Sequence, residues 1–302
     1  MDYLVTGGAG FIGRHLIPLL GSATIVDTVP RGPDTVVTDI SLPSSQEALD
    51  RAAKGKSAIF HLAANPEVRV GDPELHLSVG AFGTLRVLEA ARKADVGKLI
   101  FASSSVVYGE ASLQPTPEDY PTSPISSYGA AKLAAEALIS AYASYYGMQA
   151  VSLRLANVVG GDAPRGVLRD FMTKLRANPR ELQILGDGTQ TKSYFHVDDC
   201  AAGFYQAINW GARGKNSVFN LGAQDALDVL SIARITAQEM GIDSQKVKLV
   251  LAGGPDGRGW MGDIKYAWLS IEKAKGAGWR PKFPTSEQAI RQALREMLKG
   301  ST

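Results

Sequence analysis

Thr6-Gly7-Gly8-Ala9-Gly10-Phe11-Ile12-Gly13 decides how this chain is read. It closes an apolar run that begins at Tyr3 and opens a segment, ending at Leu20, in which apolar residues recur every three or four positions. That is the signature of a strand, a tight turn and a helix. Glycines at 7, 10 and 13 remove side chains where backbone amides of a helix N-terminus would approach a pyrophosphate. Gly7, Gly10, Phe11, Ile12 and Gly13 are therefore candidates for holding a dinucleotide.

Outward from this turn the pattern repeats. Strands are expected at Thr24 to Asp27, Ala58 to Leu62, Lys98 to Ala102 and Ala150 to Leu155, and helices at Ser44 to Lys54, Val79 to Ala94 and Tyr128 to Tyr146. Alternation of this kind predicts an α/β fold, a Rossmann-type doubly wound parallel sheet. After Asn157 glycine, proline and arginine become frequent and elements shorten, which places a boundary near residue 165. Residues 1–165 are expected to form the dinucleotide domain, with segments after about 190 able to return to it. Residues 166–302 are expected to form mainly a smaller C-terminal substrate-binding domain. The glycine-rich stretch Gly253 to Gly262 is expected to be a long loop or strand edge.

Composition excludes several classes. The chain has 302 residues, 45% hydrophobic and 21% charged, which suits a well-filled globular core and neither disorder nor a coiled coil. A net charge of +2 without runs of like charge gives no reason to expect nucleic acid or a membrane surface as partner. Cys200 is the single cysteine, so no intramolecular disulfide forms, and the four histidines show no metal-ligand spacing; no metal is expected. Tyr3 to Val5 runs straight into glycines, leaving no room for a signal peptide, and no apolar run reaches the roughly 18 residues of a membrane span. A reducing, cytoplasmic location is the expectation.

Two further features carry chemistry. Asp27 ends the second expected strand, where a carboxylate can accept hydrogen bonds from both adenosine ribose hydroxyls and repel a 2′-phosphate, which favours NAD. Tyr128 and Lys132 stand four apart on an expected helix and so share a face. The ammonium and a cationic nicotinamide are expected to lower the phenol, making a general base for a hydroxyl that loses hydride.

The glycine spacing, the Ser103-Ser104-Ser105 run and Tyr128-Gly129-Ala130-Ala131-Lys132 together resemble the extended short-chain dehydrogenase/reductase family. The resemblance implies that Ser104 steadies the substrate oxygen and that Ser105 beside it also binds the substrate. It further implies that Lys132 bonds the nicotinamide ribose, that Asp39 and Ile40 meet adenine, and that Leu62, Ala63 and Ala64 pass beside the cofactor. Arg154-Leu155-Ala156-Asn157 and Gly186-Asp187-Gly188-Thr189-Gln190-Thr191-Lys192 are similar to segments of nucleotide-sugar enzymes in that family. By that likeness Asn157, Lys192, Arg258 and Asp263 are implied in binding the substrate.

The chain departs from the family at several positions. Lys192-Ser193 replaces Arg-Asp, Gly80 replaces an asparagine, and Trp260-Met261-Gly262-Asp263 lacks the usual arginine, with Arg258 two residues earlier. Dehydratases carry an Asp-Glu pair where Ser105 and Val106 stand, and decarboxylases a glutamate in place of Val106. What is left of the family's chemistry implies a 4-epimerase that interconverts UDP-galactose and UDP-glucose through a transient 4-keto sugar, with NAD regenerated in each cycle. A UDP-uronic acid or N-acetylated UDP-sugar is the neighbouring alternative, and a non-catalytic NAD-binding sensor the alternative of another class. A homodimer is implied through Phe82, Leu85, Leu138 and Tyr142.

Overall fold

The computed structural model describes residues 2–65, 67, 68 and 72–300. Tyr3–Thr6 and Ala58–His61 are buried along their whole length, as strands covered on both faces must be. They lie at the centre of a seven-stranded sheet whose order is Lys215–Leu221, Gln149–Leu155, Lys98–Ser104, Ala58–His61, Tyr3–Thr6, Ala23–Asp27, Thr35–Val37. The first six strands in chain order pair parallel. Strand order reverses between Tyr3–Thr6 and Ala58–His61, the switch point at which doubly wound sheets open a crevice at their carboxyl ends. The core beside the sheet is built from Leu4, Val26, Ile59, Leu99 and Phe101 with Leu49, Leu88 and Ile139 from three helices.

Local differences from the sequence expectation have physical causes. The strand beginning at Lys98 continues two residues further, to Ser104, because its last residues find partners on helix Ser127–Tyr146. The expected helix from Val79 begins earlier, at Pro73, where Asp72 caps it by accepting from the Leu75 amide at 3.1 Å. It then passes through a π-helical turn, Ser78–Gly83, before Thr84–Lys93. Strands Thr35–Val37 and Lys215–Leu221 are too short or too mixed in pattern to stand out in sequence.

The chain divides into two compact units. The first comprises Met1–Gly109, Pro121–Leu155 and Ala201–Asn220, and holds the sheet; the second comprises Glu110–Tyr120, Ala156–Cys200 and Leu221–Thr302. Within the second, Glu181–Ile184 pairs parallel with Lys248–Leu251 and Asn157–Val159 parallel with Tyr194–His196. Its interior is anchored by Trp279, fully buried, whose indole N–H donates to the Asp199 carbonyl at 3.1 Å. The Asp199 carboxylate in turn accepts from the amides of Lys282 and Phe283. No helix among the described residues is long and apolar enough to cross a membrane.

Candidate active site

Gly7 follows the first strand with φ +73°, and a Cβ there would sit 2.6 Å from the Ala63 amide nitrogen and 2.9 Å from the Leu62 carbonyl carbon. Only glycine permits that conformation and that approach together. The turn thereby lies against Leu62 and Ala63 at the switch point, and Ala64 continues that segment. A Cβ on Gly13 would meet the Gly8 and Gly7 carbonyl oxygens at 2.6 and 2.7 Å, so the helix packs directly on the turn. Gly10 caps helix Phe11–Leu20 with no side-chain acceptor, so the amides of Phe11, Ile12 and Gly13 are those a helix start presents to an anion. Asp27 reaches the same turn: one carboxylate oxygen accepts from the Ala9 amide at 2.9 Å and the other from Val29 at 3.2 Å. These residues fit the diphosphate and ribose of a dinucleotide.

Asp39 and Ile40 are placed differently. Asp39 accepts from the Ser41 amide at 2.8 Å, the geometry of an Asx turn, while the Ile40 side chain packs on Gly83 and its carbonyl accepts from Arg86 at 3.1 Å. Gly80 also has a steric reason: a Cβ there would lie 2.9 Å from that of Ala131, so the π-helical turn and helix Ser127–Tyr146 approach too closely for an asparagine.

Sequence reading missed His61. Its ring is fully buried, with Nδ1 2.6 Å from the Thr6 hydroxyl and Nε2 2.9 Å from the Thr84 hydroxyl. Thr84 donates to the Gly80 carbonyl at 2.5 Å, so it accepts from Nε2–H, and Thr6 then donates to Nδ1. The Thr6 oxygen is left to accept from the Ala63 amide at 3.4 Å. Burial, with Lys132 adding repulsion, pushes His61 down to about 3, so the ring is neutral near pH 7.

Three consecutive residues at the end of strand Lys98–Ser104 grip helix Ser127–Tyr146. The Ala102 carbonyl accepts from Lys132 Nζ at 2.5 Å, Ser103 donates to the Glu136 carboxylate, and Ser104 hydrogen-bonds the Tyr128 phenol. Ser103 therefore faces away from the phenol, and Ser105 begins the short 3₁₀ turn Ser105–Tyr108. Ser126 starts the helix by accepting from the Gly129 amide at 3.2 Å, which fixes Tyr128 in its first turn. Lys132 is buried, 5.8 Å from the centroid of the Tyr128 ring and 4.8 Å from that of Phe101.

The electrostatics correct one expectation. Lys132 does not lower the phenol in the protein itself: the packing around Tyr128 pushes it up to about 12, and the bond from Ser104 is the opposing influence. Burial likewise pushes Lys132 down to about 8, with Glu136 opposing. Desolvation outweighs pairing at both groups.

Of the substrate candidates, Asn157, Lys192, Arg258 and Asp263 fall within the second unit, Ser104 and Ser105 within the first. Lys192 Nζ lies 2.5 Å from the Asp263 carboxylate, and the other Asp263 oxygen accepts from the Gly259 amide at 3.4 Å. Arg258 donates to the Asp263 carbonyl and to the Glu110 carboxylate. Asn157 donates to the carbonyl of Ser193, next to Lys192, at 3.1 Å. Trp260 is half-buried, and its carbonyl accepts from the Asp263 amide at 3.1 Å.

His196, Asp198 and Glu296 place ligand-type atoms within 4.8 Å of one another, a grouping their sequence spacing does not announce. The ring nitrogens are both engaged: Nε2 lies 3.1 Å from Glu296 and Nδ1 accepts from the Asp198 amide at 3.2 Å. Glu296 also accepts from the Gly161 amide at 2.9 Å and from Gln292 at 2.7 Å. The group is joined by hydrogen bonds, with the His196 ring buried and the Asp198 side chain half exposed.

The model of the NAD dependent epimerase/dehydratase family matches residues 3–222. UDP-glucose 4-epimerase of Corynebacterium glutamicum is 31% identical, over 97% of this chain and 94% of that protein. A crystal structure of UDP-galactose 4-epimerase superposes with a TM-score of 0.83 at 36% identity, covering 99% of both chains. MoeE5 in complex with UDP-glucuronic acid and NAD superposes with a TM-score of 0.86 at 29% identity over the full length of both.

Proposed function

The chain belongs to the NAD dependent epimerase/dehydratase family, and from that premise we propose that it is a UDP-sugar 4-epimerase interconverting UDP-galactose and UDP-glucose. The observation that carries this reading is the set Ser104, Tyr128 and Lys132 on one strand end and one helix face, with Ser105 and Val106 beside it. Elimination or decarboxylation calls for an added acid or base; epimerisation by oxidation and re-reduction at one carbon does not.

Gly7, Gly10, Phe11, Ile12, Gly13 and Asp27 would hold NAD, with Leu62, Ala63 and Ala64 alongside. NAD held there would supply a reversible hydride acceptor for carbon 4 and a positive ring charge. Tyr128 takes the proton of the 4-hydroxyl and later gives it back, and Ser104 donates to the same oxygen as it gains carbonyl character. Lys132 supplies a donor for the nicotinamide ribose, and the phenolate is favoured by Ser104 and by the ring charge that NAD would bring. Lys192, Arg258 and Asn157 bind the substrate diphosphate, with Asp263 fixing Lys192.

Purified protein given UDP-galactose labelled with deuterium at carbon 4 is expected to yield UDP-glucose with the label still on carbon 4. Absence of conversion, or label washed into solvent, overturns the reading. UDP-glucuronic acid and UDP-N-acetylglucosamine in the same assay rank the substrates, the former because MoeE5 binds it. A non-catalytic NAD sensor is disfavoured because it has no use for a phenol bonded to a serine and backed by an ammonium. The protein is further proposed to act in the cytoplasm as a homodimer, through Phe82, Leu85, Leu138 and Tyr142. Phe82 is 56% exposed, and Tyr145 and Tyr146 add exposed aromatic surface on the second helix.

A further inference from the structure

Tyr128, Lys132 and Glu136 stand at intervals of four on helix Ser127–Tyr146 and thus along one face. Glu136 is a buried carboxylate held by neighbouring side chains. Arg154 grips it with Nε at 3.0 Å and a second nitrogen at 2.7 Å, and Ser103 donates to it as well. Arg154 is itself braced, its guanidinium lying 4.6 Å from the Tyr108 ring centroid while the Tyr108 hydroxyl donates to Asn220 at 2.8 Å. A buried bidentate pair of this kind is a costly way to stabilise a fold, since apolar residues of similar volume serve as well. Its position, one turn beyond a buried ammonium, gives it another use.

We propose that Glu136, fixed by Arg154 and Ser103, is a positioning residue that keeps Lys132 charged and seated on the Ala102 carbonyl beneath Tyr128. The inference rests on the assignment of Lys132 to the catalytic set. The titratable and charged groups facing Lys132 and Glu136 are Tyr128 on the same helix, Arg154 on the neighbouring strand, His61 across Phe101, and Tyr108. His61 is neutral and Arg154 is spent on Glu136, so Glu136 is the negative charge that offsets the desolvation of Lys132. The strand passes this arrangement on: Ser103 holds Glu136, and its neighbour Ser104 meets the phenol.

The test titrates Lys132 directly in NAD-loaded protein, by NMR of carbon-labelled lysine side chains, with the resonance assigned by its loss in Lys132→Met. In Glu136→Gln the midpoint is expected to fall by about one pH unit, a tenfold change in proton affinity. The alkaline limb of kcat/KM for UDP-galactose is expected to move to lower pH with it. Arg154→Gln, which removes the cation paired with Glu136 and leaves its charge to act on Lys132, is expected to move the midpoint the other way, to higher pH, and carries the test if the first variant does not fold. An unmoved Lys132 midpoint in a folded variant overturns the inference, whatever happens to the rate. A shifted midpoint in a protein that epimerises no UDP-sugar supports the inference and sinks the functional reading instead.

Discussion

At the scale of single residues, the two decisive features are a missing side chain and a hydroxyl. Gly7→Ala forces a Cβ to within 2.6 Å of the Ala63 nitrogen at φ +73°, so the turn must open. The expected result is a loss of about 1–3 kcal/mol of stability and NAD binding weakened by tenfold or more, read by thermal melting and by equilibrium titration with NAD. Ser104→Ala removes a hydroxyl that opposes the raising of Tyr128. Its kcat is expected to fall about 10²- to 10³-fold with NAD retained; a variant of unchanged kcat would remove Ser104 from the site. Glycine spacing, Asp27, and the tyrosine and lysine four apart are legible in sequence because each is local. The raised phenol is not, because it depends on what other segments pack around Tyr128.

Elements carry the second kind of constraint. Thr6, His61, Thr84 and Gly80 come from two strands and two helical turns, and no local spacing announces that their side chains form one hydrogen-bonded chain. The Ser78–Gly83 turn escapes a pattern search for the same reason: it is fixed by the close approach of Gly80 to Ala131. Gly80→Asn is accordingly expected to lower stability by about 1–3 kcal/mol in urea unfolding rather than to restore a family contact. His61 adds a pH dependence of definite sign. Its proton affinity is depressed in the fold, from 6.5 to about 3, so the unfolded chain takes up a proton first as pH falls. Its contribution to stability is full above pH 6.5 and declines from there toward pH 3, reaching about 2–3 kcal/mol lost by pH 4.5. Unfolding curves at pH 7 and 4.5 check this: His61→Gln should show a smaller loss between the two than the parent protein.

For the whole molecule, the alternation of strands and helices in the first 155 residues is enough to give the doubly wound parallel sheet, while the strand order that sets its switch point is seen only in the structure. The partition of the rest is less legible: a return of segments after about 190 is allowed for, and Ala201–Asn220 belongs with the sheet, but nothing local marks Glu110–Tyr120, inside the first 165 residues, as part of the second unit. The association of Lys192, Arg258 and Asp263 was likewise out of reach, because sequence separates residues that ion pairing and backbone hydrogen bonds join. Activity nevertheless turns on one phenol. Its most direct test is the rate of UDP-galactose to UDP-glucose conversion by Tyr128→Phe, with NAD content measured on the same sample. The account predicts a fall in kcat of at least about 10³-fold with NAD still bound, beyond the usual worth of a single proton transfer because the hydroxyl also binds the reacting oxygen. Conversion at the parent rate in the NAD-loaded variant would contradict it.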